Sequence, residues 1–586
     1  MKTFFASLLG TLVGIVLAFL IIFFICAAII GSAFKSLKEE EVIKVQPSSV
    51  LEIRLNHSIG ERSSPKMFHF KLDDNTFSET VGLNDIIEDI HHAAKDTLLK
   101  GIYLNLSDIP AGMAIIEAIR HELAEFKNSG KFIFAYGIGY SQKSYYLASV
   151  ADKVYMHPEG IIFLKGLSAQ IMFYKKALDK LGVQVQVFRH GRYKSFVEPF
   201  ILDKMSPDNR VQTRSLMVSL WDKMLGDMGV SRNITFTAFN NMADSLTVRT
   251  AEAAQQHGLV DSLLYSDQVM DKIKQRLKLT TQQNISFIGL DDYRETFHTN
   301  TSSSKIAVIY AIGDIVSGNG DDESIGSSRI SETIKQARLD ANIKAIVLRI
   351  NSPGGDAVAS DVIWREVQLT KQVKPVIVSM GDVAASGGYY IACAANVIVC
   401  EPTTITGSIG VFGLLPNAQQ LLNDKLGITV DTVSTNTHAS AGSLYYPLLS
   451  NEMAVLQNGI ENFYHTFMSR VAAGRNLTIA QVDSIAQGRV WSGIQSRKIG
   501  LTDTLGGMDL ALKIAAEKAH LTEYSIEELP SPFGPFHKFL SRFSSNIETE
   551  ALKNELGDIY EPVEEIKKLM KTTGVQARMP YQLIIE

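Results

Sequence analysis

Most of the chain alternates short apolar runs with longer stretches in which apolar residues recur at helical spacing. The second half shows this most clearly, because its apolar runs are separated by segments such as 357–372, which has a helical period. The runs are IAVIYAIG, KAIVLRI, PVIVSM and NVIVCE. This rhythm is typical of βαβ units, so it predicts an α/β fold with largely parallel strands.

The chain also contains a weak internal duplication. Two stretches match at a constant interval, namely KFIFAYGIGYSQKSYYLASVADKVYMHPEG (131–160) and KPVIVSMGDVAASGGYYIACAANVIVCEPTT (374–404). The matched pairs are Gly137 with Gly381, Tyr145 with Tyr389, Tyr146 with Tyr390 and Ala148 with Ala392. A second pair of matching stretches follows the first pair in both halves, namely AAQQHGLVDSL (253–263) and IQSRKIGLTDTL (494–505). Ordered matches predict two duplicated domains, roughly 50–290 and 300–530, joined by a polar linker at 299–304.

The two ends of the chain lie outside this duplication. Leu8–Ile30 is almost wholly apolar and, at about 1.5 Å per residue, long enough to cross a ~30 Å hydrocarbon core. A cleaved signal peptide, ending near Gly31-Ser32-Ala33, is the alternative, but its apolar region would be shorter. We therefore predict a transmembrane anchor, with Lys2 weakly favouring an inside amino terminus and the bulk of the chain outside. Residues 531–586 form a predicted tail without recognisable chemistry.

Composition excludes several classes of function. The formal net charge is -5 and no long basic run occurs, which argues against a nucleic-acid-binding protein. The three cysteines, Cys26, Cys393 and Cys400, form neither a disulfide framework nor a metal-binding pattern. We therefore expect no metal and no cofactor.

Three glycine-bounded turns in the second half follow predicted strands. They are RINSPGGD (349–356), Ser386-Gly387-Gly388 within GDVAASGGYYIA (381–392), and TGSIG (406–410). Glycines in such turns can present N–H groups to a developing oxyanion, and so can the amide that follows a nucleophile, here that of Gly387. Each turn alone is a weak indication, but together at strand ends they predict a nucleophilic Ser386. No histidine lies nearby in the chain to act as its base.

These motifs resemble the signal peptide peptidase A family in its long, two-repeat form. The later stretch GRVWSGIQSRKIGLTDTLGG (488–507) extends the resemblance. The resemblance implies tandem duplicated domains of the Clp protease and crotonase fold, built from ββα repeats, with an N-terminal transmembrane helix. It also implies a membrane-anchored serine protease that uses a Ser–Lys dyad to degrade signal peptides left after export. The expected partners are therefore peptide substrates, the membrane and further copies of the chain in a homotetramer. The expected location is the bacterial inner membrane, with the catalytic domains on the extracytoplasmic, periplasmic side.

The same resemblance assigns roles to individual residues. In the long form the general base comes from the first repeat, in a GxYKSxxEP motif that GRYKSFVEP (191–199) matches, so the base is Lys194. The resemblance also implies that Ser408 of TGSIG orients this lysine. Amides of Gly355 and Gly387 are the expected oxyanion donors.

Comparison of the two repeats supports a base from the first repeat and a nucleophile from the second. Gln142 stands opposite Ser386, and His438 or Ala439 stands opposite Lys194, so each half has kept what the other lost. We therefore expect one active site per chain, assembled across the repeats. A lysine acts as a base only when neutral, so burial must lower the pKa of Lys194 from its ordinary value near 10.4.

Alternatives remain at this stage for both the base and the function. His438 is a rival base, since Ser–His pairs are the commoner arrangement, and Lys194 could be an ordinary surface lysine. The rival functions are a crotonase-like acyl-CoA enzyme, because that fold also uses glycine-rich oxyanion holes, and an inactive membrane scaffold.

Overall fold

The structure is a computed structural model of the 586-residue chain. It describes residues 43–63, 80–297, 302–533 and 574–579, with isolated positions between 10 and 24. Within these residues no helix combines the length and the apolar character that a membrane crossing requires. Most of the predicted anchor, 8–30, lies outside the described residues, so the anchor stays a prediction.

Two sheets of mainly parallel strands form the centres of the two halves, and they share one strand order. In spatial order the first sheet contains Ser262–Leu263, Lys153–Met156, Phe132–Gly137, Leu99–Asn105, Ser49–Ile53 and Phe287–Gly289. The second repeats this order with Thr504–Leu505, Val397–Cys400, Val376–Ala385, Ile343–Ser352, Lys305–Ile312 and Ser525–Leu529. The predicted tandem α/β architecture is therefore confirmed.

The second sheet has an extension that is reduced, in the described part of the first half, to an isolated parallel bridge between Tyr140 and Ile162. Ile405–Gly407 pairs in parallel with the last residues of Val376–Ala385, and Val490–Ser492 pairs with Ile405–Gly407 in the antiparallel direction. A separate two-stranded sheet pairs Ile59–Gly60 with Val81–Gly82. The extension matters for function because it carries TGSIG to the end of the strand that precedes Ser386.

The helices repeat from half to half as the strands do. The first half contains Leu83–Lys95, Met113–Phe126, Gln142–Ala148, Lys175–Leu181, Glu198–Ile201, Pro207–Arg232, Phe236–Asp244, Ala251–Gln256, Ser266–Leu277 and Leu290–Arg294. The second contains Ser327–Leu339, Ala357–Thr370, Gly387–Ala392, Ser450–Arg475, Ile479–Ile485, Gly493–Lys498 and Met508–Lys518. The described residues also contain short 3₁₀ turns, Lys127–Ser129 and Ser195–Val197, and a π turn, Leu421–Leu426.

Local sequence accounts for where several helices begin. Ser206 accepts a hydrogen bond from the backbone of Asn209, and Pro207 occupies the first turn of the long helix Pro207–Arg232. Asp356, the last residue of RINSPGGD, caps the helix Ala357–Thr370 in the same way. The apolar faces of these helices pack on the sheets, giving each half a core of its own.

A third sheet joins the two halves. Its order is Ser324–Gly326, Asp314–Val316, Gly354–Asp356, Gln576–Arg578, Val411–Asn417 and Gln184–His190. The first-half strand Gln184–His190 is antiparallel to Val411–Asn417 of the second half over their whole lengths. The chain therefore enters GRYKSFVEP already fixed against the half that carries Ser386.

Buried polar contacts also link the halves near the strand that precedes Ser386. Glu61 of the first half forms an ion pair with Arg349 at 2.6 Å, and both side chains are 2% exposed. Asp382, in GDVAASGG, accepts backbone hydrogen bonds from Ala114 at 2.8 Å and Ile115 at 3.4 Å, at the start of Met113–Phe126. Burial raises the pKa of Asp382 to about 6. The two halves are thus joined through charged groups as well as through a sheet.

Candidate active site

Ser386 lies at a sharp turn between the strand Val376–Ala385 and the helix Gly387–Ala392. Its φ of 56° and ψ of -113° are a conformation that residues with a side chain rarely adopt. The turn is held by hydrogen bonds from Ser386 N to the Gly407 carbonyl and from Tyr390 N to the Ser386 carbonyl, each 2.8 Å. The strained turn thus places Ser386 between the strand and the helix, where the residue is fully buried.

Lys194 reaches this serine from the other half of the chain. Its Nζ lies 2.7 Å from Ser386 Oγ, 3.1 Å from the Ser408 carbonyl oxygen and 3.1 Å from Ser408 Oγ. A neutral amine has two N–H donors and one lone pair, so it can donate both N–H groups to Ser408 and accept the Ser386 proton. The structure thus brings together three of the predicted site residues.

The environment of Lys194 favours this neutral form. The side chain has no exposed surface, and burial lowers the pKa of Lys194 well below its usual value. The oxygen atoms around Nζ belong to serines, which carry no charge to offset the burial of an ammonium group. The site therefore meets the chemical requirement for a lysine base.

The position of Lys194 is determined by the backbone around it. Gly488 of the second half packs so closely that a Cβ atom there would lie 2.6 Å from Lys194 N, and its φ is +79°. Tyr193 N donates to the Gln487 carbonyl at 2.9 Å. Only glycine suits position 488, because it combines a positive φ with this close approach.

Gln212, on the long helix Pro207–Arg232, holds the same loop from the opposite side. Its Nε2 donates to the Tyr193 carbonyl at 2.9 Å and to Ser195 Oγ at 3.0 Å, and its Oε1 accepts from Val490 N at 3.3 Å. The side chain is fully buried. Gln212 therefore fixes the residues on both sides of Lys194 to a strand of the second half. Sequence motifs do not point to Gln212, because a lone glutamine on a helix has no motif around it.

We expect Gln212→Ala to lower kcat for peptide cleavage about 10- to 100-fold with little change in KM, because Lys194 loses its alignment while the glycine turns next to Ser386 stay intact. Steady-state kinetics measures this split. Gln495→Ala is the matched control, since Gln495 also bonds the long helix, at Ser215, but lies away from Lys194. A folded Gln212→Ala variant with wild-type kcat would contradict this role.

The SPGG turn faces the start of the helix that follows Ser386. A Cβ atom on Gly354 would lie 2.7 Å from Gly387 N, and the φ of Gly354 is +102°. A Cβ atom on Gly355 would lie 2.1 Å from the carbonyl oxygen of Ile315. Both predicted oxyanion residues, Gly355 and Gly387, therefore border the space next to Ser386, and Gly354 lies between them.

The described C-terminal residues 574–579 lie in this same space. The strand Gln576–Arg578 is antiparallel to Gly354–Asp356. This segment could not be assigned a role from its sequence, because three residues of strand carry no periodic pattern and have no counterpart in the other repeat.

The residues at the positions equivalent to Ser386 and Lys194 in the other repeat have other roles. Gln142 is buried, and its Oε1 accepts hydrogen bonds from the backbones of Lys165 and Gly166, each 2.9 Å. His438 is exposed and its ring contacts Glu452 at 2.8 Å and Asn451 at 3.1 Å. The structure thus gives His438 partners other than Ser386.

No metal centre is apparent within the described ranges, where no group of three or more His, Cys, Asp or Glu side chains could hold an ion. Cys393 and Cys400 are buried in the core, and burial raises the pKa of each thiol to about 12. Both cysteines are therefore unreactive packing residues.

Comparison with known proteins gives family matches in both halves. The profile described as peptidase family S49 matches residues 125–280 and again 368–522, and the profile described as Clp protease matches 269–402. A protein named Protease 4 from Salmonella typhi is 40% identical over 455 residues, covering 76% of this chain and 73% of that protein. Protease 4 from Haemophilus influenzae is 36% identical, covering 74% and 72%.

A third relative matches over a greater share of this chain. Serine protease SPPA, chloroplastic, from Arabidopsis thaliana is 31% identical over 550 residues, which cover 92% of this chain and 78% of that protein. The match therefore extends over both halves.

Proposed function

This chain belongs to peptidase family S49 and is a serine protease, and from that premise we propose that it cleaves peptides with a dyad of Ser386 and Lys194. The observation that carries the proposal is the 2.7 Å contact between Lys194 Nζ and Ser386 Oγ. Both side chains lack exposed surface, so water does not compete for this contact.

The first half-reaction transfers an acyl group to Ser386. Neutral Lys194 accepts the hydroxyl proton while Ser386 Oγ bonds to the carbonyl carbon of the peptide. Lys194 then gives this proton to the leaving nitrogen, the C–N bond breaks, and an ester remains on Ser386. Lys194 is neutral again at this point, held by the carbonyl and hydroxyl oxygens of Ser408.

The second half-reaction frees the enzyme. Lys194 takes a proton from water as the water oxygen attacks the ester carbon, and the proton returns to Ser386 Oγ as the acid leaves. Each half-reaction places negative charge on the former carbonyl oxygen. We assign its stabilisation to the backbone N–H groups of Gly355 and Gly387. The amide of Gly387 is at a helix start and lacks a partner within the helix, and Gly355 belongs to the SPGG turn beside it.

The proposed substrates are extended, largely apolar peptides of the kind that signal-peptide remnants provide. The motif resemblance supports this choice, together with the apolar segment Leu8–Ile30, which would hold the chain at a membrane. We extend the proposal to an extracytoplasmic position on the bacterial inner membrane and to a homotetramer. The family assignment favours peptide hydrolysis over acyl-CoA chemistry and over a scaffold without activity.

A peptide library tests this function. We expect the wild-type protein to cleave within extended apolar peptides and to show no binding of coenzyme A. Binding of coenzyme A without any peptide cleavage would overturn the proposal in favour of acyl-CoA chemistry.

The pH dependence of activity follows from the lowered pKa of Lys194. Only the neutral amine accepts the Ser386 proton, so kcat/KM falls about tenfold per pH unit below this pKa and reaches a plateau above it. Because the pKa is lowered, the plateau begins well below about 10.4, the value for a free lysine. Measuring kcat/KM between about pH 5 and pH 10 locates this inflection. A profile that keeps rising to the free-lysine value would contradict the buried base.

A further inference from the structure

Glu198 is a buried acid that takes no part in the proposed mechanism. It lies four residues after Lys194, near the end of GRYKSFVEP, and opens the short helix Glu198–Ile201. Its side chain has no exposed surface. Among the residues that the structure describes it forms no ion pair, so hydrogen bonds must compensate for the loss of water around its carboxylate.

Three donors from the start of the long helix Pro207–Arg232 meet this carboxylate. Ser206 N lies 3.1 Å and Asn209 Nδ2 lies 2.9 Å from Glu198 Oε2, and Ser206 Oγ lies 2.5 Å from Glu198 Oε1. Ser206 Oγ also accepts from Asn209 N at 3.1 Å, so its own proton is available for Glu198. Glu198 thus accepts all three bonds, as a carboxylate does, and its negative charge lies at the positive end of the helix dipole.

The amide of Asn209 has a donor side and an acceptor side, and Glu198 determines which way it faces. Because Nδ2 bonds to Glu198, Oδ1 is the atom that accepts from Gln212 Nε2 at 3.2 Å and from Thr213 Oγ1 at 3.3 Å. A reversed amide would place Oδ1 against the carboxylate and Nδ2 against the amide donor of Gln212. The carboxylate therefore fixes the orientation of Asn209.

The same constraint reaches Gln212. Because Asn209 presents an oxygen, Gln212 turns its Nε2 towards it, and this Nε2 also donates to the Tyr193 carbonyl at 2.9 Å, directly before the base. At the other end Gln212 Oε1 accepts from Val490 N at 3.3 Å. A reversed Gln212 would lose the bond to Tyr193 and present a donor to Val490 N. The orientation of Gln212 therefore depends on the buried carboxylate.

We infer that Glu198 is a positioning residue for Lys194, and that it acts through Asn209 and Gln212. This inference rests on the proposed function, since it requires Lys194 to be the base. Glu198, Asn209 and Gln212 form a hydrogen-bonded relay that aligns the Lys194 loop, and the relay transfers no proton. Alignment matters because a displacement of about 1 Å at a reacting group can lower the rate about 10²-fold.

The first test removes the acceptors of Glu198 in the full chain. Glu198→Met keeps a side chain of similar length, and we expect kcat for a fluorogenic apolar peptide to fall about 10- to 100-fold with KM nearly unchanged. Glu198→Gln should restore most of kcat, because its oxygen still accepts from Ser206 N and Asn209 Nδ2 while its amide donates to Ser206 Oγ. Equal losses in both variants would contradict the relay.

The second test asks whether Glu198 acts through Gln212. In a double-mutant cycle, the chain with Glu198→Met and Gln212→Ala should be no slower than the slower of the two single variants, because both break one relay. Independent effects would multiply to a loss of about 10²- to 10⁴-fold. A multiplied loss would therefore overturn the relay.

The third test separates the relay from the cap of the long helix. Ser206→Ala removes the cap but leaves Glu198 bonded to Asn209, so it should lower the melting temperature and keep the wild-type kcat. Asn209→Leu breaks the relay but leaves Ser206 bonded to Glu198, so it should lower kcat as Glu198→Met does. It also decides the question if Glu198→Met does not fold. Equal losses of kcat in Ser206→Ala and Asn209→Leu would assign the effect to the helix cap and overturn the inference.

The possible outcomes separate this inference from the proposed function. Folded Glu198→Met or Asn209→Leu variants with the wild-type kcat would overturn the inference and leave the dyad standing. Absence of peptide cleavage by the wild-type chain would overturn the proposed function, and the inference with it.

Discussion

We expect Lys194→Met to abolish peptide hydrolysis and, at the same time, to raise the melting temperature of the chain. Methionine fills about the same volume as lysine without an ionisable group. Activity should fall by at least about 10²- to 10⁴-fold, the usual contribution of a general base. Ser386→Ala should be at least as inactive, because no acyl-enzyme can form.

The rise in stability follows from the sign of the pKa change. Because the folded pKa of Lys194 lies below the unfolded one, the unfolded chain binds more protons between the two values, and stability falls as pH falls through that window. Methionine removes this penalty. For a unit the size of one half, the melting temperature should rise by about 2–4 °C for each kcal/mol regained, and more at low pH than at high pH.

Lys175→Met provides the matched control, since Lys175 pairs with Asp179 at the surface. It should leave activity unchanged, and scanning calorimetry should find its melting temperature close to that of the wild type. An active Lys194→Met variant would exclude Lys194 as the base. An inactive but less stable Lys194→Met variant would contradict the account of its burial.

Glu61→Ala should produce the second large effect, a loss of about 3–5 kcal/mol in the free energy of unfolding. The substitution leaves the Arg349 guanidinium buried without its carboxylate. Arg349 would keep only its bonds to Ser379 Oγ at 2.7 Å and to the Met380 carbonyl at 3.0 Å. Asn351 Nδ2, which donates to Glu61 at 2.8 Å, would lose its partner too.

Thermal and denaturant unfolding measure this loss. Glu332→Ala is the control, because the ion pair of Glu332 with Lys335 is exposed and should contribute at most about 1 kcal/mol. The double variant Glu61→Leu with Arg349→Met should recover much of the stability, since apolar residues can replace a buried ion pair. Equal stability of Glu61→Ala and wild type would show that this contact does not hold the halves together.

The sequence predicts those parts of the molecule that leave a repeated or periodic pattern. Strand and helix alternation predicts the α/β sheets, and the matched pairs around Gly137 and Gly381 predict their duplication. Lys194 is different, because its motif alone resembles a surface segment. Only the family resemblance directed attention to a lysine that far from Ser386 in the chain.

What the sequence could not predict depends on contacts between distant residues. Three features have contacts with residues far away in the chain, and none of them lies in a repeating pattern. They are Gln212, Glu61 and the strand Gln576–Arg578. The third sheet has the same origin, since Gln184–His190 pairs with Val411–Asn417 of the other half. Such contacts follow from three-dimensional packing rather than from local propensity.

Chemical labelling tests the dyad most directly. A serine-reactive fluorophosphonate should form one adduct on the wild-type protein, with Ser386 Oγ displacing fluoride, and mass spectrometry of a digest should place it on Ser386. The chain that carries Lys194→Met should react at least about 10²-fold more slowly, because its serine has no base. An adduct on another serine, or an equal labelling rate in Lys194→Met, would contradict a dyad of Ser386 and Lys194.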